Sequence, residues 1–391
     1  MSSPIRNQRA PMQYRRFGRT DQHLSVITLG GMRYVHGWEQ PRDQVPADMI
    51  EQCAKITQLA FDSGINHIET AHGYGKSENC YGIVLNDVLK VPRSSYHLMT
   101  KGGPQTGDAV KKLVDDQLKA LQTDHLDLYA WHGINTSEIQ RNVCAKGGPA
   151  EALLDLKRQG VIGAVGFSTH GPVEVIVDAL ATDLFDFVNL HYYYFFQRNY
   201  AAVQYAAAKD IGVFIISPND KGGQLFNPPQ LLRELVAPAT PIQWNARFCL
   251  RSAAVQTLSF GFTEPAHIDE MRGIFQVSMP MSAHDQQVQA TLDGRVTRDP
   301  ISAWEGYEMS GDPSGINIPE VLRFRRMWKA YDMFDFGRYR YNMFESKGHW
   351  FPGCFADDAA LAKVDLSRAP EGIDVVALLR EAHLTFFKQK A

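Results

Sequence analysis

The chain has 391 residues, enough for one large domain and a smaller one. Its 44% hydrophobic and 21% charged residues place it among folded globular proteins rather than disordered chains. A formal net charge of −3 provides no overall basic surface for a phosphate backbone, which excludes nucleic acid from the expected partners.

Residues Met1–Ala10 are polar and basic with no apolar run behind them, unlike a secretory signal. No window supplies the about 18 consecutive apolar residues that a spanning helix needs. A cytoplasmic protein without membrane contact is expected. Cys53, Cys80, Cys144, Cys249 and Cys354 are scattered with no C-x-x-C, so they frame neither a disulfide scaffold nor a cysteine metal site.

Tyr14–Ser25 reads as a small hairpin plugging one face of the fold. From Leu24 to Gln276, short β-branched or aromatic runs alternate with longer amphipathic stretches, the pattern of parallel strands joined by crossover helices. Strands are predicted over Ser25–Gly31, Asn66–Ala71, Tyr96–Lys101, Leu126–His132, Ile162–Ser168, Phe187–Tyr192, Gly212–Pro218 and Val255–Phe262. The helices between and after them are predicted over Ala47–Ser63, Ser77–Leu89, Asp108–Gln122, Pro149–Gln159, Pro172–Ala181, Ala201–Lys209, Ile242–Ser252 and Pro265–Phe275. Ser77 suits an N-cap, and Pro149, Pro172 and Pro265 suit first helical turns. Eight strand-helix units in roughly 250 residues match a closed (β/α)8 TIM barrel, assigned to residues 1–278. The lack of G-x-G-x-x-G after the first strand argues against a Rossmann sheet.

Beyond Val277 the alternation stops, and residues 279–391 are expected to form a mostly helical appendage. It contains a repeat: Pro313-Ser-Gly-Ile-Asn-Ile-Pro-Glu-Val-Leu-Arg323 returns as Pro370-Glu-Gly-Ile-Asp-Val-Val-Ala-Leu-Leu-Arg380. A repeated turn-helix element of this kind is the pattern of a ferredoxin-like module, whose clusters need thiolates before each Pro-x-Gly-Ile. Those positions hold Asp312 and Ala369, so no iron–sulfur cluster or other metal is expected.

In a barrel of this type the chemistry lies at the carboxyl ends of the strands. Reading those ends gives Glu69, Tyr74, Lys101 and His132. The set suits carbonyl reduction, in which oxygen gains negative charge and needs a proton donor. A phenol, with its ordinary pKa near 10, is a weak acid unless a cation such as Lys101 favours its phenolate. Glu69 would hold Lys101, and His132 would bond the substrate oxygen.

The chain resembles the aldo/keto reductase family. The likeness rests on Gly18-Arg-Thr, Leu29-Gly-Gly-Met32, Gly64-Ile-Asn-His-Ile-Glu-Thr-Ala-His-Gly-Tyr-Gly-Lys-Ser-Glu78, Met99-Thr-Lys101, Leu126-Asp-Leu-Tyr-Ala-Trp-His132 and Val165-Gly-Phe-Ser168. Some family members carry a C-terminal ferredoxin-like module, so the likeness extends over most of the chain. The resemblance implies that Tyr74 is the general acid/base, Lys101 its activator and His132 the orienting group. Glu69 stands where members normally have Asp.

The resemblance also implies a nicotinamide cofactor, NADP(H) or NAD(H). Gly31 and Met32 end the first strand beside it, and Ser168 and Asn189 take the carboxamide. Ile216 stands at the usual aromatic stacking position. The segment Ser217, Pro218, Asn219, Lys221, Gly223 and Leu225 resembles the loop over the pyrophosphate. Gly261, Thr263, Glu264 and His267 come after the eighth strand, where members often hold a 2′-phosphate with Lys or Arg; an acid at 264 disfavours that phosphate and suits a ribose hydroxyl.

Trp38, Trp131 and Tyr192 are the expected substrate surface, aromatic and amphipathic as a sugar would require. The function implied is oxidoreduction between a small-molecule carbonyl and an alcohol. Two alternatives stand beside it: a cofactor-retaining sugar epimerase or isomerase, and a non-catalytic nucleotide-binding regulatory subunit.

Overall fold

The computed structural model describes residues 4–276, 281–302, 311–345 and 353–388. Two compact units are present: Met1–Pro218 with Asn245–Pro280, and Asn219–Trp244 with Met281–Ala391. The expected break at residue 278 lies outside the described residues, and the second unit additionally takes in Asn219–Trp244.

The first unit begins with strands β1 (Tyr14–Arg16) and β2 (His23–Ser25), an antiparallel hairpin. Eight parallel strands then close a barrel: β3 (Ile27–Gly30), β4 (His67–Glu69), β5 (His97–Gly102), β6 (Leu126–His132), β7 (Ile162–Ser168), β8 (Phe187–Leu190), β9 (Gly212–Ile215) and β10 (Thr257–Gly261). Closure comes from β10, which pairs with both β9 and β3. This is the expected (β/α)8 barrel.

Phe17 and Leu24 of the hairpin join Met99, Leu128, Ala130, Ala164, Phe187 and Phe214 in the barrel core. A Cβ at Gly212, the first residue of β9, would lie 2.8 Å from the Phe17 ring, which puts this plug at the amino ends of the strands. The carboxyl ends remain for side chains with polar tasks.

The crossover helices bury one stripe each. In α1 (Ala47–Asp62) the buried stripe includes Met49, Cys53, Ile56 and Ala60; in α3 (Gly107–Leu121) it is Val110, Val114, Gln117 and Leu121, both at three- and four-residue spacing. Thr106 Oγ1 accepts from the Ala109 N–H and starts α3. The predicted helix over Ser77–Leu89 is instead α2 (Ser77–Ile83) running into a π-helical turn over Val84–Val88. A short α4 (Ser137–Val143), capped by Thr136, adds to the predicted helices. The remaining crossovers are α5 (Pro149–Arg158), α6 (Val173–Ala181) and α7 (Tyr200–Ala208).

The second unit holds α8 (Gln230–Val236), with Leu232 and Val236 buried, packed on α11 (Ala283–Val296). Helix α9 (Pro241–Leu250) and α10 (Pro265–Arg272) precede α11 in the chain. The sequence repeat is structural. Helices α12 (Ile318–Tyr331) and α15 (Val375–Phe386) each open five residues after Pro313 or Pro370, capped by Asn317 and Asp374. Gly315 and Gly372 adopt φ of 76° and 75°, a left-handed turn that glycine takes without strain. Between them lie α13 (Phe334–Tyr341) and α14 (Asp358–Leu361). Asp312, at the position where a cluster cysteine would stand, accepts from the N–H groups of Ser314 and Asp365 and so holds the first turn. Among the described residues no helix is long and apolar enough to cross a membrane.

Candidate active site

Strands β4, β5 and β6 end near Glu69, Lys101 and His132, and the turn after β4 carries Tyr74. The turn is fixed by its backbone, with the Tyr74 N–H on the Ala71 carbonyl at 3.0 Å and the Ser77 N–H on the Tyr74 carbonyl at 3.1 Å. Gly75 has φ 56°, and a Cβ there would overlap the Gly37 carbonyl oxygen, so only glycine lets the loop after β3 approach.

Glu69 and Lys101 are both buried and joined as an ion pair. The other carboxylate oxygen of Glu69 accepts from Ser259 Oγ at 3.2 Å. Glutamate therefore reaches the lysine despite its extra methylene. The Lys101 Nζ lies 4.9 Å from the centre of the Tyr74 ring. His132 meets Tyr74 edge-on with ring centres 6.0 Å apart, and Trp38 does so from the loop side at 6.2 Å. The four predicted residues are brought together.

Burial works against the Lys101 ammonium, but the charge of Glu69, with help from Tyr74, outweighs it and raises the lysine pKa. Burial raises the Tyr74 pKa. Lys101 pulls it down, Glu69 pushes it up, and Arg33 lowers it, with a net rise. Lys101 thus acts on the phenol in the expected direction, towards the phenolate, and it is burial that outweighs it.

His132, Ser168 and Asn189 are register partners across β6, β7 and β8 and form one row at the barrel mouth. Ser168 and Asn189 are buried, and Asn189 Oδ1 has no hydrogen-bond partner. A buried amide oxygen without a donor costs about 1–3 kcal/mol, and a carboxamide N–H would satisfy it. The residues present therefore fit a nicotinamide. Gly31 sits against Ser77 and Tyr81, and Met32 is half-buried beside it. Ile216 is half-buried with its N–H on the Leu190 carbonyl. Ser217 has φ 53°, which ends β9 before the predicted Pro218. The Pro218 carbonyl accepts from Asn245 Nδ2.

Asn219, Lys221, Gly223 and Leu225 belong to the second unit, where the Leu225 N–H returns to the Asn219 carbonyl at 2.9 Å. Asp220 in this turn pairs with Arg340 at 2.9 Å. At the end of β10, Gly261 faces the Arg33 side chain, and beyond it the Thr263 N–H donates to His267 Nδ1 at 3.2 Å. Glu264 is exposed at the start of α10.

The aromatic expectations divide. Trp38 is 57% exposed, whereas Trp131 and Tyr192 are buried. Trp131 donates its Nε1–H to the Pro104 carbonyl. Tyr192 packs on Phe248 and its hydroxyl accepts from Arg251, so it is a packing residue rather than an exposed substrate surface. An aromatic run does not by itself distinguish a mouth from the wall behind it.

Other residues at this end lie outside the predicted set. Arg42, His72, Glu78, Thr100 and Gln117 form a polar cluster behind Tyr74 and Lys101. His170 and His191, each two residues beyond the Ser168 and Asn189 row, stack with a ring-centre separation of 4.8 Å, and Tyr193 bonds His191. Their fixed offset from two strand ends is the signal the sequence offers for them. Among the described residues no group of three or more His, Cys, Asp or Glu is placed to hold a metal ion.

The model of the aldo/keto reductase family matches residues 26–226, just over half of the chain. The chain belongs to the aldo/keto reductase family. L-galactose dehydrogenase of Arabidopsis thaliana is 27% identical over 221 residues, covering 53% of this chain and 65% of that protein. D-arabinose 1-dehydrogenase of Saccharomyces cerevisiae is 29% identical over 161 residues, 39% of this chain and 45% of that one. The chain thus spans only about half to two thirds of the length of these curated relatives. An aldo-keto reductase of Klebsiella pneumoniae, solved in complex with NADPH, shares the fold at TM-score 0.58 and 19% identity, covering 72% of this aldo/keto reductase and 95% of that chain.

Proposed function

We propose that the protein is a nicotinamide-dependent oxidoreductase interconverting a small carbonyl compound and its alcohol, with Tyr74 as proton donor and acceptor. The observation that carries this reading is the buried Glu69–Lys101 pair set under a phenol that keeps its proton. A bound nicotinamide would exchange hydride with the carbonyl carbon. Ser168 and Asn189 would hold its carboxamide, the latter through its partnerless Oδ1. Tyr74 delivers the proton to the substrate oxygen, Lys101 stabilises the phenolate left behind, and His132 orients that oxygen. The intact pair supports an enzyme over a non-catalytic subunit.

The substrate belongs to the sugar-like class. Exposed Trp38 beside Tyr74 offers an apolar face for C–H stacking, and two similar proteins are named as sugar dehydrogenases. Fluorescence titration with NADPH and NADH, together with analysis of nucleotide released on denaturation, tests the reading. Binding of either, with aldose-dependent oxidation or reduction, is the expected result. Failure of both to bind would overturn it.

A further inference from the structure

The loop after β3 carries Arg42, whose guanidinium makes three contacts around the Tyr74 turn. Its Nε donates to the Gly75 carbonyl at 2.9 Å, one terminal nitrogen lies 2.6 Å from His72 Nδ1, and the other pairs with Glu78 at 2.9 Å. Gly75 and His72 flank Tyr74 in sequence. The same loop is also fastened by Lys76, which donates to the Pro41 carbonyl through its ammonium and to the Gly37 carbonyl through its N–H.

Glu78 is 1% exposed and carries the contact inward. Its second oxygen accepts from Thr100 Oγ1 at 2.5 Å and from Gln117 Nε2 at 2.6 Å. Gln117 Nε2 also reaches the Lys101 carbonyl at 3.1 Å, and Gln117 Oε1 accepts from Tyr129 at 3.0 Å. One buried carboxylate therefore bonds the Arg42 that grips the Tyr74 turn, and the Thr100 and Gln117 that fix the backbone of Lys101.

We infer that Arg42 is a positioning residue which, through Glu78, sets the Tyr74 phenol against the Lys101 ammonium. The Glu78 charge has no other guanidinium or ammonium within ion-pair distance among the described contacts. Loss of Arg42 leaves it buried with Thr100, Gln117 and the half-exposed His72 ring at 3.8 Å. The turn then loosens, and the phenol moves away from the lysine that lowers its pKa. The Tyr74 titration shifts upward. A misplacement of about 1 Å at a reacting group costs about a hundredfold in rate. This inference rests on the reading of Tyr74 and Lys101 as the reacting pair.

The test uses the full chain with tyrosine labelled at ring Cζ, the Tyr74 resonance being identified by its loss in Tyr74→Phe. In Arg42→Ala the resonance is expected to titrate at higher pH than in the unsubstituted protein, with Arg42→Lys returning part of the way and Glu78→Gln behaving like Arg42→Ala. With glyceraldehyde and NADPH, kcat is expected to fall about a hundredfold while the nucleotide Kd stays within about twofold. An unmoved Tyr74 titration in both Arg42→Ala and Glu78→Gln overturns the inference, even if the rate falls. Should Arg42→Ala fail to fold, Arg42→Lys decides by the same resonance. If the unsubstituted protein neither binds nucleotide nor turns over, the functional reading fails, yet the titration still decides whether Arg42 sets the pair.

Discussion

Lys101 lies between two groups of opposite demand, paired with Glu69 on one side and 4.9 Å from the Tyr74 ring centre on the other. Because burial leaves the phenol with a raised pKa, Tyr74 is protonated at neutral pH. Reduction should be level through neutral pH and decline only on an alkaline limb above about 10. Glu69→Gln removes the charge that pushes the phenol up and leaves Lys101 without its anion, so the limb should move to lower pH. A pH series of kcat for both proteins measures this, and a limb that stays in place or moves upward would contradict it.

Tyr74→Phe removes the proposed proton donor while keeping the ring that meets His132 and Trp38. A positioned acid contributes about 10²–10⁴-fold, and kcat should fall by that range with nucleotide binding retained. Full turnover in this variant would remove Tyr74 from the chemistry.

Asn189 Oδ1 is buried without a donor, a cost in stability that a carboxamide N–H would relieve. Asn189→Leu removes the orphaned oxygen and keeps the branched shape of the side chain. The protein without nucleotide should melt at the same or a higher temperature, whereas nucleotide affinity should weaken by about 1–2 kcal/mol, roughly tenfold. Thermal melts with and without NADPH separate the two effects; a variant less stable on its own but equally tight for nucleotide would reverse the assignment.

The legible parts of this protein are those in which local chemistry and fold agree. Leu126–His132 and Ile162–Ser168 are apolar runs between polar turns, and their predicted ends match β6 and β7. The predicted strand Phe187–Tyr192 runs two residues too long because Tyr192 continues the apolar run after the chain has left the ladder at Leu190. Glu69, Tyr74, Lys101 and His132 are readable because a barrel mouth collects strand ends. Arg42 and Gln117 are not, since each gains its meaning from Glu78, 36 and 39 residues away in the chain. Tyr192 misleads for a related reason: an amphipathic side chain suits a ligand surface and a hydrogen-bonded core equally well.

Glu264 opens α10 exposed. An acid beside the adenosine ribose would repel a 2′-phosphate and accept from a ribose hydroxyl, the role proposed for Glu264. Glu264→Arg should therefore shift the ratio of NADH to NADPH affinity towards NADPH by about tenfold or more, equivalent to ~1.4 kcal/mol. Parallel fluorescence titrations give the ratio, and an unchanged value would place the adenosine end elsewhere.

At the opposite end of the barrel, Asp127 near the start of β6 accepts from Arg6 at 2.6 Å, from Arg93 at 2.7 Å and from the Leu98 N–H at 2.9 Å. Burial pushes its carboxyl up, but His97 and the two guanidinium groups outweigh that and hold it well below the usual range. A carboxylate depressed on folding contributes stability that is fully present above its unfolded pKa of about 3.9 and is lost as pH falls towards the folded value. Asp127→Asn leaves two guanidinium groups beside a neutral amide and should cost about 3–5 kcal/mol at neutral pH. Since the substituted residue cannot titrate, the difference from the unsubstituted protein should shrink steadily below pH about 4. Urea unfolding of both proteins from neutral to acid pH measures that difference, and a gap that stays constant would mean that the loss comes from geometry rather than from the charge.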